Sequence, residues 1–128
     1  MSEIRVTTIS NTAGTGPVTL TGQSAAKAWA HYDNNGTFAT KDSFNTSSLT
    51  DTAAGRCTIN FSSNMSDGNY ASPTSGGNAG ATGTIYNLNP QSQSSSNTEL
   101  RGRAQGGSTT TGLADLDFNF VAIHGDLA

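Results

Sequence analysis

Between residues 27 and 61 the chain alternates short extended runs with compact turn signals, and this rhythm constrains the fold more than any other feature. Residues 27–32, Lys-Ala-Trp-Ala-His-Tyr, form a dense run that stops at Asp33-Asn34-Asn35-Gly36, a hairpin-turn sequence. Residues 37–40 read as the return strand and 42–49 as a second extended piece. Residues 50–55 make the next turn, and 56–61 a further strand. In that last strand Cys57, Ile59 and Phe61 point one way, while Arg56, Thr58 and Asn60 point the other. Residues 25–30 carry some helical propensity, but Trp29, His31 and Tyr32 beside a turn favour a strand.

The remainder extends the pattern. Residues 84–88 and 98–104 read as strands set in a Ser-, Gly-, Asn- and Gln-rich region, with loops expected at 73–83 and 89–97. Across 73–112 the large apolar side chains are Ile85, Tyr86, Leu88, Leu100 and Leu113. They are too few to offset the conformational entropy of ordering that region within one copy. Much of it is therefore expected to be mobile or held against another chain. In the closing strand Leu116, Phe118, Phe120 and Ala122 share one face, with Val121 and Ile123 on the other. Two apolar faces predict a central strand or one capped by a neighbouring subunit. The expected fold is all-β: eight to ten short strands in a small β-sandwich or jelly-roll-like domain over 25–128, with long polar loops. Residues 1–24 are thinner, with extended pieces at 4–9 and 18–21 around a Gly- and Pro-containing turn. They either pair with the main domain or reach onto another subunit; the reading adopted is an extended N-terminal attachment arm.

Composition narrows the function classes. Apolar residues make up 33% and charged residues 12%, both low for a globular chain, while Ser, Thr, Asn and Gly fill the difference. Neutral polar groups are cheaper to bury than charges, which suits a β protein whose core is completed by neighbouring copies. The net charge is -3 and the basic residues are scattered, with only Arg101 and Arg103 close in sequence. No basic stripe suggests nucleic acid. No apolar run suggests a membrane span, and the first residues do not resemble a secretory signal. Synthesis in a cytoplasm is the expectation.

Candidate chemistry is sparse. His31 and His124 lack the spacing of a zinc set, so no metal or cofactor is expected, and both read as packing or hydrogen-bonding residues. A single Cys57 cannot form an intrachain disulfide and reads as buried filler. Asp33, Asp51 and Asp67 sit beside turn residues and are expected to bond local backbone. Asp115 and Asp117 form the one close carboxylate pair, expected on one face of the last strand as solvated charge rather than as a glycosidase or calcium pair. No G-x-S-x-G elbow appears, and the glycine-rich 76–83 lacks a phosphate-loop pattern. No catalytic residue is assigned.

The same stretch carries a resemblance. Lys27-Ala28-Trp29, the aromatic Tyr32, Gly36-Thr37, then Asp42-Ser43-Phe44-Asn45 with Ser47-Ser48-Leu49-Thr50-Asp51, then Gly55 and Ile59-Asn60-Phe61, occur in the order of a module found in bacteriophage tail-fibre and related virion proteins. The pattern continues through Met65-Ser66-Asp67-Gly68-Asn69-Tyr70. The opening 4–16 and closing 117–125 also resemble the ends of such proteins, so the likeness covers about three quarters of the chain. It implies a non-enzymatic virion component. The expected assembly is an intertwined homotrimer, joined through its arm to another tail or capsid protein and contacting a host surface glycan. Its core would comprise Trp29, Tyr32, Phe44, Ile59, Phe61, Tyr70, Phe118 and Phe120. A capsid decoration protein and a free-standing carbohydrate-binding module are the alternatives.

Overall fold

The computed structural model describes residues 25–79, 83–106 and 109–128. The expected arm, 1–24, lies outside them. Nine strands and no helix occur among the described residues: β1 (Ala28–Asp33), β2 (Ala39–Phe44), β3 (Thr46–Ala53), β4 (Arg56–Phe61), β5 (Thr74–Gly77), β6 (Thr84–Gln93), β7 (Asn97–Gly106), β8 (Thr109–Leu113) and β9 (Phe118–Ile123). They form two antiparallel sheets. One has four strands in the order β2-β1-β9-β5; the other runs β3-β4-β7-β6, with β8 also on β7. The two pack as a β-sandwich. Ala28, Ala30, Tyr32, Val121 and Ile123 from the first sheet meet Cys57, Ile59, Phe61, Leu88 and Leu100 from the second.

Local chemistry explains where the chain turns. At the first hairpin Asp33 Oδ1 accepts from the Asn35 amide (3.0 Å), and Gly36 takes the left-handed conformation (φ 77°) that glycine adopts without steric cost. The second break falls at Asn45, four residues beyond the boundary read from the sequence at Lys41. Asn45 is also left-handed (φ 53°), a conformation asparagine tolerates better than most residues. Its side chain holds both sheets' margins: Nδ2 donates to the carbonyls of Lys27 (2.9 Å) and Ser63 (3.0 Å), and Oδ1 accepts from the Ser63 amide (2.7 Å). Here the chain leaves the first sheet for the second. β3 then runs through Ala53, so Asp51 sits in a strand opposite Cys57 rather than in a turn.

The described residues of 73–112 are more regular than their composition implied. Thr74–Gly77 is a strand on the edge of the first sheet, and β6 continues through Gln93 across much of the expected 89–97 loop. Leu88 and Leu100 enter the core, and the β6–β7 ladder is the longest among the described residues. Backbone pairing organises this stretch where side-chain burial is thin. Tyr70 plugs one end of the sandwich. Its ring meets Phe61 edge-on (5.8 Å), and its hydroxyl donates to the Asn97 carbonyl (2.8 Å).

The core forecast is right for Tyr32, Ile59, Phe61 and Tyr70 and wrong for three other residues. Phe44, Phe118 and Phe120 are 54%, 45% and 44% exposed, and Trp29 is half-buried. β9 is central, as two apolar faces suggested, but its inward face is Asn119, Val121 and Ile123. Leu116 is buried just before the strand begins, and the chain changes phase between it and Phe118.

Candidate functional site

The misplaced aromatics are together. Alternation puts Trp29 and His31 of β1, Asp42 and Phe44 of β2, and Phe118, Phe120 and Ala122 of β9 on the outer face of the four-stranded sheet. Register then aligns them in rows. Phe44, Trp29 and Ala122 are cross-strand neighbours; so are Asp42, His31, Phe120 and Ser75, which span all four strands. Phe118 faces Gly77, which has no side chain to cover it. The His31 and Phe120 rings stack at 4.2 Å with 20° between their planes. An open groove of about 540 Å³ runs over this face, lined by Trp29, His31, Asp42, Pro73, Ser75 and Phe120 among others. His31 Nε2 is buried there without a hydrogen-bond partner. Charge gathers at the margin, where Lys41 Nζ lies 3.4 Å from Asp33 Oδ2.

The row Asp42, His31, Phe120, Ser75 contains the residue types of a hydrolytic triad but not its geometry. Phe120 separates His31 from Ser75 by two strand spacings, about 10 Å. A nucleophile and its base must lie within hydrogen-bond reach. The face is suited instead to stacking and apolar contact.

Asp115 and Asp117 precede β9 rather than sitting in it, and both are engaged. Asp115 Oδ1 accepts from the Gly55 amide (2.5 Å) and from Asn34 Nδ2 (3.2 Å). Asp117 accepts from Asn35 Nδ2 (2.7 Å) and the Ala79 amide (2.6 Å). These two bonds, the Asn35 one foremost, hold its carboxyl below the usual range. Behind them lie two buried amides that the sequence did not flag. Asn34 Oδ1 accepts from the Leu116 amide (3.0 Å) and from Asn119 Nδ2 (3.0 Å), and Asn119 Nδ2 also reaches the Leu116 carbonyl (2.8 Å). The network is a clasp fastening the first hairpin turn to residues 115–119. No group of three or more His, Cys, Asp or Glu suited to a metal ion occurs among the described residues.

The other residues singled out have structural places. Cys57 is buried beside Tyr32. Burial pushes its thiol up to about 12, against a hydrogen bond from the Tyr32 hydroxyl that pulls it down. His124 stands apart from His31, in an isolated bridge with Ala71. Of the glycine-rich stretch, Gly76 and Gly77 are in β5. The aromatic face could have been found in the sequence only by asking which apolar residues were surplus to one core. The chain matches no protein-family model, no curated protein and no solved structure at a significant level.

Proposed function

We propose that this chain is a non-enzymatic structural module of a tailed-phage virion, similar to a tail-fibre module, in which copies associate as a homotrimer through the outer face of the four-stranded sheet. The observation that carries the reading is the set of uncovered aromatics on one sheet face, Phe44, Phe118 and Phe120, with Trp29 half-buried among them. Apolar side chains left in water forgo burial free energy of about 1.5–3 kcal/mol each, and contiguous patches of this kind mark interaction surfaces. An apolar centre with its charge displaced toward the edge strand, where Lys41, Asp33 and Asp42 lie, resembles the anatomy of a protein–protein interface. The resemblance supplies the virion setting and the trimer.

Sedimentation equilibrium over a concentration series tests this reading. The wild-type chain is expected to reach three times its monomer mass, with a melting temperature that rises with concentration. The doubly substituted Phe118→Ser/Phe120→Ser chain is expected to stay monomeric and folded, because neither ring belongs to the sandwich core. A wild-type chain that remains monomeric throughout defeats the proposal. The groove itself favours a second reading, a carbohydrate-binding module: Trp29 and the stacked His31–Phe120 pair offer flat surfaces, with Asp42 and Ser75 at hand for hydroxyls. A monomer whose Trp29 fluorescence shifts with neutral oligosaccharides would favour it.

A further inference from the structure

The opposite face of the sandwich carries a second, chemically different feature. Arg56, Thr58 and Asn60 of β4 point outward, as do Asn97, Glu99, Arg101 and Arg103 of β7. Pairing sets Arg56 directly opposite Arg101, two residues 45 apart in sequence. On the other side of β7, Asn89 lies opposite Arg101 and Asn87 opposite Arg103; both asparagines are exposed. Three of the chain's six Lys and Arg residues therefore share one small area of an acidic protein.

Like charges directly opposite one another in an antiparallel pair are destabilising. The face holds little to relieve them. Glu99 is the one acidic residue in β4, β6 and β7. It contacts Arg101 Nε at 3.3 Å, leaving Arg56 and Arg103 without a carboxylate among the described residues. Arg56 Nε is moreover buried with no hydrogen-bond partner, an arrangement that costs free energy until an acceptor arrives. Guanidinium groups bind planar carboxylates and tetrahedral oxyanions with paired, charge-assisted hydrogen bonds. The flanking Asn87 and Asn89 amides both donate and accept, which suits hydroxyl groups beside the anion.

We infer that the outer face of β4, β7 and β6 is a binding site for an acidic saccharide, whose carboxylate or sulfate sits between Arg56, Arg101 and Arg103 while its hydroxyls meet Asn87 and Asn89. The site is independent of the aromatic face, since it lies on the other sheet and requires no association of copies.

Calorimetric titration of the full chain with oligogalacturonate, inorganic sulfate and a neutral galacto-oligosaccharide tests the assignment. Oligogalacturonate is expected to bind most tightly, sulfate more weakly, and the neutral oligomer not at all, with affinity falling as salt is added. Arg56→Gln and Arg103→Gln are each expected to weaken oligogalacturonate by about tenfold, with the melting temperature preserved. Glu99→Gln is expected to tighten it, because it removes the internal competitor for Arg101; a purely structural pair would give no such gain. The inference is overturned if oligogalacturonate does not bind, if sulfate binds but the oligomer does not, if the neutral oligomer binds equally well, or if the arginine variants keep wild-type affinity.

Discussion

Gly102 shows how closely the second sheet is built. Its amide donates to the Gly55 carbonyl (2.8 Å), and its own carbonyl accepts from the Ala114 amide (3.1 Å). A Cβ at position 102 would stand 2.6 Å from the Ala114 carbonyl oxygen, which is backbone and cannot swing aside. Gly102→Ala is therefore expected to destabilise the protein by about 1–3 kcal/mol, the usual range for forced overpacking. At Gly77, also in a strand, an added methyl group would meet nothing within 4 Å. Gly77→Ala should be neutral or stabilising by less than about 1 kcal/mol, because it removes only unfolded-chain entropy. Urea unfolding of the two variants side by side checks both signs. Neither difference is visible in the sequence, where both are simply glycines inside extended segments.

Among the elements, β4 and β9 mark the two extremes of legibility. β4 alternates Cys57, Ile59 and Phe61 with Arg56, Thr58 and Asn60, and its buried face is the apolar one. β9 offers apolar residues on both faces, so a period of two cannot say which turns inward. The bulkier aromatic face looked like core, yet Asn119 took the interior with Val121 and Ile123. The reason is the clasp. Asn119 Nδ2 serves the Tyr32, Leu116 and Asn34 oxygens together, a need created by the first hairpin turn and not by β9 itself. Asn119→Ala leaves those buried acceptors short of a donor and is expected to cost about 1–3 kcal/mol. Asn119→Leu, which adds apolar volume, should not restore it. Thermal melts of the pair would show whether the amide's hydrogen bonds, rather than its bulk, hold the turn to residues 115–119.

On the scale of the whole molecule, both sheets share one core, and Tyr32 and Cys57 meet in it from opposite sides. Burial opposes ionisation of both, raising the pKa of the Cys57 thiol to about 12 from 9.0 and that of the Tyr32 hydroxyl above its ordinary 10.0. Each group is neutral when protonated, and folding favours the protonated form. Their contribution is thus fully present below pH 9 and is lost as pH rises through the folded values. Stability is expected to fall on the alkaline side from pH 9 to 12, with a slope reaching about 1.4 kcal/mol per pH unit for each proton. Cys57→Ala should remove the part of that slope that begins near pH 9. Guanidinium titrations at several alkaline pH values measure it. A stability that is flat through this window would mean that the thiol is not held in the interior.

The amino-acid order alone determined the class of the fold. Turn residues at 33–36 and 54–55, β-branched and aromatic runs between them, and the alternation of β4 are local, and local sterics and periodicity act on them wherever the chain is placed. Tertiary structure decided which way the ambivalent strands face, that Asn34 and Asn119 belong inside, that Phe44, Phe118 and Phe120 do not, and that Arg56 stands against Arg101. Those outcomes depend on partners up to 87 residues away, and a one-residue change of register would reverse every one of them on its strand.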